Sequence, residues 1–267
     1  MTELRWDPTA AAAFYDEYGE REWTRFEDGR TPAASAATHA HYLRRFVRSG
    51  DRVLDAGSGP GRFTIELARI GARVVLADLS PGQLELSREK VAAAGAEDAV
   101  EDRVVADICA LPFEDDSFDA AVCFGGALTY VLERGPDAVR ELVRVTRPGG
   151  HVLVSVMSLV GTTCRAIKGV LIEARGYGVE TIECIVATGL LPAAHSGHPP
   201  MKLYRWGELR DLLAAHGKLV AASATGIFGG APDEPELRAL LERLEVDLGA
   251  EPGAIESGPH ILAVLRV

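Results

Sequence analysis

The chain has 267 residues, 47% of them hydrophobic, which is enough to bury a full core in one large domain without disulfides or metals. Its 28 Lys and Arg against 39 Asp and Glu give a formal net charge of −11, which disfavours nonspecific binding to nucleic acid or to an anionic membrane. No stretch approaches the roughly 18 apolar residues of a membrane span, and no signal-peptide pattern opens the chain, so we predict a cytoplasmic protein with a small-molecule partner.

The cysteines and histidines show no spacing typical of a redox or metal site. No CxxC pair, HxxxH or HExxH occurs, so we predict no metal. We interpret the four cysteines as reduced residues of the core: Cys109, Cys123, Cys164 and Cys184.

Residues 1–50 are predicted to be mostly helical and to form an N-terminal lid or cap. They carry an aromatic and charged cluster, "FYDEYGEREWTRFE", which contains Tyr15 and Tyr18. The remaining residues, 51–267, are predicted to form the main domain.

Between residues 51 and 158 short β-branched runs alternate with stretches of helical spacing, the pattern of βαβ units around a parallel sheet. The predicted strands are 52–56, 72–78, 103–107, 118–126 and 151–158. The predicted helix signals are Gly71 and Gly95 as stops, Ser80 as an N-cap, Pro136 near a start, and the pair Gly149 and Gly150 as a further stop.

The rest of the chain divides into an insert and a regular end. Residues 159–203 are the least regular part and are predicted to form a substrate-pocket insert. One helix is predicted there over 162–174, followed by an apolar run at 182–191. Residues 204–267 contain two helical stretches, 206–217 and 235–246, and two β-type runs, 218–228 and 260–267. We predict that these runs add an antiparallel pair to the sheet edge.

The stretch "LDAGSGPGRF", residues 54–63, places Gly57, Gly59 and Gly61 directly after an aspartate. Such a loop between a strand and a helix is predicted to point its amides into a crevice at the sheet edge. The dinucleotide pattern GxGxxG fails at Arg62, and no P-loop lysine follows. The Asp55 carboxylate would oppose a pyrophosphate and favours a ligand that carries a cation.

Two more acids end the next predicted strands. Asp78 is placed to accept hydrogen bonds from ribose hydroxyls, and Asp107 from an exocyclic amine such as that of adenine. Together with Asp55 they predict a site for a cationic nucleoside.

In this arrangement the chain resembles the class I S-adenosylmethionine-dependent methyltransferases, in their small-molecule branch. The matching stretches are "LDAGSGPG", "LADLS", "VVADICALPFEDDSFDAAVCFGGAL" and "RVTRPGGHVLVS", within residues 50–158, with looser likeness on both flanks. The resemblance implies an α/β fold: a doubly wound, Rossmann-like, seven-stranded sheet, mostly parallel with an antiparallel edge pair, plus the lid and an insert after the fifth strand. It implies S-adenosylmethionine as cofactor, held by Asp55, Gly57, Ser58, Gly59, Asp78, Leu79, Asp107, Ile108 and Phe124.

The function implied is transfer of a methyl group to an O, N or C atom of a small molecule. The segment "CFGGAL" lacks the Asn or Asp, Pro-Pro and aromatic residue of nucleobase methyltransferases, which disfavours a nucleic-acid acceptor. Three alternatives remain open: a non-methylating step such as cyclisation, an NAD(P)-dependent oxidoreductase, and a non-catalytic cofactor-binding partner subunit. The oligomeric state is not predicted.

Catalytic residues are harder to place, because a general base is needed only if the acceptor arrives protonated. His195 and His198 in the insert and Tyr130 after the fourth strand are candidate bases. The same three, with Tyr15 and Tyr18, are candidates for the substrate pocket.

Overall fold

The structure, a computed structural model, describes residues 4–24, 33–229 and 232–267. Parts of the predicted lid, residues 1–3 and 25–32, lie outside the described residues.

The described strands form one large sheet and a two-stranded ribbon. The strands are β1 (Arg52–Ala56), β2 (Arg73–Asp78), β3 (Val100–Val105), β4 (Phe118–Cys123), β5 (Thr146–Met157), β6 (Leu190–Leu191), β7 (Met201–Lys202), β8 (Lys218–Thr225) and β9 (His260–Arg266). The large sheet has seven strands in the order β3-β2-β1-β4-β5-β9-β8, and β9 runs antiparallel to both of its neighbours. The predicted fold class, with its antiparallel edge, is confirmed.

Helices cover both faces of this sheet. They are α1 (Pro8–Tyr18), α2 (Arg21–Thr24), α3 (Ala33–Phe46), α4 (Arg62–Ile70), α5 (Pro81–Ala93), α6 (Ala127–Tyr130), α7 (Gly135–Arg144), α8 (Leu159–Arg165), α9 (Ile167–Tyr177), α10 (Val179–Thr188), α11 (Trp206–Ala214) and α12 (Pro235–Gly249). Neighbouring strand residues such as Val53 and Leu54 are both fully buried but belong to separate hydrophobic clusters, one on each face. A parallel sheet covered on both faces explains the nearly continuous apolar runs of its strands.

Local signals for the first two helices after β1 are confirmed. Gly71, at φ 87°, ends α4, and the Ser80 hydroxyl accepts a hydrogen bond from the Gln83 amide at the start of α5. The predicted stop at Gly149 and Gly150 is wrong. Helix α7 already ends at Arg144, and the glycine pair lies inside β5, because pairing with β4 begins as early as Thr146.

The third strand also differs from its prediction. It spans 100–105 rather than 103–107, and its ladder with β2 ends where Val105 faces Asp78. Asp107 therefore lies in the turn two residues beyond the strand.

The insert contains three helices, α8 to α10, where one was predicted over 162–174. Gly178, at φ 93°, separates α9 from α10, and neither of these two helices has a buried residue. Cys184 in α10 is half-buried, and Cys164 in α8 is exposed, so the prediction of four core cysteines is wrong for these two.

In the part of the chain that the structure describes, no helix is long and apolar enough to cross a membrane. The described residues also contain no cluster of three or more His, Cys, Asp or Glu that could bind a metal.

Candidate active site

A cavity lies at the carboxyl edge of the large sheet, under helix α1. Its walls come from the loop after β1, the end of β2, the turn after β3 and the segment after β4. The predicted site residues that line it are Gly57, Ser58, Gly59, Asp78, Leu79, Ile108, Phe124, Tyr15 and Tyr130. The fold thus brings these side chains to one site from five separate parts of the chain.

The loop after β1 uses its own amides to bind the end of β2. The amides of Gly57 and Ser58 donate to Ala77 O at 2.7 and 3.2 Å, and the Gly59 amide donates to the Asp78 carboxylate at 2.8 Å. The prediction that these amides point into a crevice is wrong, because β2 supplies their acceptors. They are not available as an anion-binding nest, which argues further against a phosphate at this loop.

Two of the loop glycines are required by close packing. A Cβ on Gly57, at φ 69°, would lie 2.3 Å from the Ala127 Cβ, and one on Gly61, at φ 83°, would lie 2.7 Å from Val91. The loop is therefore held tightly between α6 and α5.

Asp78 combines structural hydrogen bonds with access to the cavity. It accepts from the amides of Gly59 and Ser80, at 2.8 and 2.9 Å. Burial raises the pKa of its carboxyl, and these two amide hydrogen bonds oppose that rise. A carboxylate has about four acceptor positions, so two remain for donors of a ligand.

Asp55 does not line the cavity, contrary to its expected place among the residues that hold the cofactor. Its side chain is 1% exposed and accepts a hydrogen bond from the Thr64 hydroxyl at 2.6 Å, below the loop. Burial raises its pKa to about 6, and the negative charge of Asp78 adds to that rise. Strand β1 is central in the sheet, and this position encloses the carboxyl.

Asp107 does not line the cavity either. Its carboxylate accepts from the Trp6 indole at 3.0 Å and from the Cys109 amide at 2.8 Å. The Trp6 amide in turn donates to the Glu133 carboxylate at 3.1 Å. The N-terminal segment thus occupies one oxygen of the acid that was expected to bind an exocyclic amine, and Trp6 forms the cavity wall there.

Helix α1 is attached to the start of α5 through Asp16. One oxygen of this carboxylate accepts from the Ser80 hydroxyl at 2.5 Å and from the Gly82 amide at 2.8 Å. The attachment places Tyr15 over the cavity, where its ring lies 5.7 Å from that of Tyr130.

A second cavity, of about 470 Å³, adjoins the first one on the side of the insert. The two share Trp6, Ala11 and Tyr130 as lining residues. The second is largely apolar, and its other lining residues include Phe14, Leu132, His198, Pro199 and Pro200.

Of the remaining candidates, His198 reaches the second cavity, and Tyr18 packs beside it. Tyr18 stacks on Phe14 with ring centres 5.4 Å apart, and the His198 ring lies 5.4 Å from Tyr18. His195 lines neither cavity. Its Nδ1 lies 2.7 Å from the Glu173 carboxylate, and its ring packs against Tyr177 of α9.

Part of the chain matches a known protein family. Residues 54–154 match the family described as "Methyltransferase domain". The similarity to a methyltransferase domain thus covers this part of the chain. The assignment from motifs to the S-adenosylmethionine-dependent methyltransferases is confirmed.

The chain matches its curated relatives over only part of their length. Demethylmenaquinone methyltransferase of Mycobacterium marinum is 38% identical over 159 residues, which cover 57% of this chain and 61% of that protein. The first relatives are matched over 42 to 61% of their length, so the chain spans about half the length of the curated relatives it matches.

Solved structures confirm the fold over nearly the whole chain. The 1,6-didemethyltoxoflavin-N1-methyltransferase of Burkholderia thailandensis has a TM-score of 0.57 at 20% identity, covering 100% of this chain and 92% of that one. The [4+2]-cyclase SpnF has a TM-score of 0.62 at 17% identity, covering 99% and 98%. At these identities the likeness concerns the fold alone.

Sequence reasoning missed four residues at or next to the site: Trp6, Asp16, Arg62 and Gln83. Arg62 was noted only as a missing glycine, yet its guanidinium donates to Trp23 O at 2.7 Å and lies over the Trp23 ring, 4.1 Å from its centre. It therefore ties α2 to α4. No local sequence pattern indicates the side-chain contacts of these four residues, because each of their partners lies tens of residues away in the chain.

The residues that face the cavity fit the family's cofactor. The Ser58 hydroxyl and the Gln83 side-chain oxygen are both buried at the cavity and have no hydrogen-bond partner among the described residues. Buried polar atoms are rarely left unpaired, so these two favour a polar ligand beside Asp78. S-adenosylmethionine offers hydroxyl and amine donors for such acceptors, and its cationic sulfonium suits a cavity whose lining includes Asp78 and Glu22.

Proposed function

We propose that the protein transfers a methyl group from S-adenosylmethionine to an O, N or C atom of a small molecule. The observation that carries this proposal is the pair of adjoining cavities that share lining residues. One is bordered by Asp78 and by the two unpartnered polar atoms of Ser58 and Gln83, and the other is largely apolar. Tyr130 and Trp6 lie at the junction of the two.

The cofactor would be held by residues of the first cavity. We assign Asp78 and Leu79 to the sugar, Ile108 to the base and Ser58 to the amino-acid part, with Phe124 as a wall. Asp55 lies below the loop and would act on the cofactor through its negative charge. Asp107 would act indirectly, by holding Trp6 in the cavity wall. When bound, S-adenosylmethionine supplies an electrophilic methyl group on a sulfonium.

The chain's own contribution would be to position the acceptor and to exclude water. Orientation of two reactants in a closed site supplies much of the rate of a displacement reaction. Tyr130 lies between the cavities and is the candidate best placed to accept a proton from the acceptor, and His198 is the candidate at the far wall of the second cavity. His195, bonded to Glu173 outside both cavities, is assigned no role in proton transfer.

The acceptor is proposed to be small and largely apolar. Aromatic, aliphatic and proline side chains form most of the lining of the second cavity, and the net charge of −11 opposes nucleic acid. One relative and one solved structure of this fold are named for ring-containing acceptors, demethylmenaquinone and 1,6-didemethyltoxoflavin. These names support a flat ring compound as acceptor.

A cytoplasmic location is also part of the proposal. None of the four cysteines, all of which lie among the described residues, forms a disulfide, and Cys164 is exposed, which suits a reducing compartment. Fractionation of cells that express the tagged protein tests this location.

The test of the proposed function is a transfer assay with isotopically labelled S-adenosylmethionine and a panel of quinols, phenols and nitrogen heterocycles. We expect labelled product together with S-adenosylhomocysteine in equal amounts. Binding of cofactor without product from any acceptor would instead support a cyclase or a non-catalytic subunit. Binding of NAD(H) without binding of S-adenosylmethionine would support the oxidoreductase alternative.

A further inference from the structure

Gln83 contacts both helix α1, which we call the lid helix or simply the lid from here on, and the first cavity. Its amide nitrogen donates to Tyr15 O at 2.9 Å and to Gly19 O at 3.1 Å, at the end of α1. Two carbonyl acceptors on one side determine which end of the amide is the nitrogen. The oxygen must therefore point the other way.

That oxygen lies at the cavity. Gln83 is 1% exposed and is a lining residue, and its Oε1 has no hydrogen-bond partner among the described residues. A buried carbonyl oxygen without a donor is unfavourable, and the cavity is the side from which a donor can reach it. Asp78 and Leu79, which are assigned to the nucleoside, line the same cavity.

We propose that Gln83 is a positioning residue that accepts a hydrogen bond from the bound nucleoside through Oε1 and holds α1 closed through Nε2. The proposal rests on the proposed function, since the donor is a hydroxyl of S-adenosylmethionine or of its demethylated product. One side chain thereby couples occupancy of the first cavity to closure of the lid.

A second set of hydrogen bonds also links the first cavity to helix α1. Asp78 accepts from the Ser80 amide, and the Ser80 hydroxyl donates to Asp16 of the lid. This path passes through α5 and does not depend on Gln83. It provides a comparison, because breaking it loosens the lid without removing the acceptor at the cavity.

The coupling between the first cavity and helix α1 also affects the order in which cofactor and acceptor bind. Helix α1 supplies Phe14 and Ala11 to the second cavity. Bound cofactor that holds α1 more firmly in place also completes the wall of the acceptor cavity. We therefore expect the cofactor to bind first and the acceptor second.

The experiment combines calorimetry with hydrogen exchange, using S-adenosylhomocysteine as the probe. Wild type should bind it, and exchange of the amides of residues 8–19 should slow on binding. In Gln83→Leu we expect the dissociation constant to rise about five- to tenfold, as for loss of one buried hydrogen bond, and the slowing to disappear. Glu85→Gln, at an exposed position of the same helix, is the matched control and should behave as wild type.

Two further variants separate a positioning role from a structural one. Gln83→Glu keeps an oxygen at the cavity but cannot donate to Tyr15 and Gly19 when ionised. It should retain more affinity than Gln83→Leu while the ligand-dependent slowing is lost. Asp16→Ala should speed exchange of α1 without ligand but keep the dissociation constant within about twofold of wild type and keep the slowing, because Gln83 is intact.

The outcomes distinguish this inference from the proposed function. No binding of S-adenosylhomocysteine by wild type overturns the proposed function and the inference with it. Binding by wild type, with equal affinity and equal slowing in both Gln83 variants, overturns the inference alone. Melting curves of each variant establish that it is folded under the conditions of the measurement.

Discussion

At the scale of single residues, burial decides what each acid at the sheet edge can do. Asp55 is enclosed beneath the loop and bonded to Thr64, whereas Asp78 reaches the cavity with acceptor positions to spare. The same side-chain type at the ends of neighbouring strands therefore serves two different purposes. Asp55 is a buried charge whose pKa is shifted, and Asp78 is a candidate ligand contact.

The raised pKa of Asp55 predicts a pH-dependent stability. Its pKa of about 6 in the folded protein lies above the ordinary value of 3.8, so the folded state binds the proton more tightly. The stability that this group contributes is complete below about pH 4 and is lost as the pH rises through 6. Asp55→Asn cannot ionise, and its carbonyl can still accept from Thr64. Its free energy of unfolding relative to wild type should therefore rise by about 1–3 kcal/mol between pH 4 and 7.

Denaturant unfolding at several pH values measures this difference. Asp98→Asn, at an exposed position, is the control and should show a smaller change with pH. A constant difference between Asp55→Asn and wild type across this range would contradict the assignment of the shifted pKa to Asp55.

At the scale of elements, the lid is held by a few specific contacts rather than by a large apolar face. Helix α1 has one buried residue, Ala11, and docks on α5 through Asp16 and Gln83. An element with few buried apolar contacts can open without unfolding of the domain. Helix α1 is therefore expected to move relative to the rest of the domain.

Gly82→Ala tests this independence. The new Cβ would lie 2.8 Å from the Asp16 carboxylate, so this carboxylate must move away from the start of α5 and its docking contacts weaken. Alanine meanwhile suits the helical backbone of α5 better than glycine does. We expect faster cleavage of residues 8–24 by chymotrypsin, with a melting temperature equal to that of wild type or higher.

Gly169→Ala provides the matched control, because a Cβ there meets nothing within 4 Å in helix α9. It should leave the cleavage of residues 8–24 unchanged. If Gly82→Ala also leaves that cleavage unchanged, the docking of α1 through Asp16 is contradicted.

At the scale of the whole molecule, the sequence predicted the sheet well and the closure of the site poorly. Strand periodicity and glycine stops are local signals, so the sheet and the positions of Gly57 and Asp78 could be derived from them. The contacts of Trp6 with Asp107 and of Asp16 with Ser80 join residues 101 and 64 positions apart. No local pattern encodes such pairs, and the same holds for the enclosure of Asp55.

The whole fold should be stabilised by the cofactor product. A ligand that binds only the folded state at about 100 times its dissociation constant adds about 2.7 kcal/mol of stability. For a domain of this size, the melting temperature should then rise by roughly 5 °C or more. Thermal melting with increasing S-adenosylhomocysteine measures the shift, and NAD⁺ at the same concentrations should produce none. An equal shift with both compounds would speak against a selective site.

The central claim is that the cavity beside Asp78 binds S-adenosylmethionine, and isothermal calorimetry with S-adenosylhomocysteine tests it most directly. We predict one site per chain in wild type and, in Asp78→Ala, a dissociation constant raised about tenfold through loss of roughly 1–2 kcal/mol of charge-assisted hydrogen bonding. Binding of NAD⁺ without binding of S-adenosylhomocysteine, or an unchanged dissociation constant in folded Asp78→Ala, would contradict the claim.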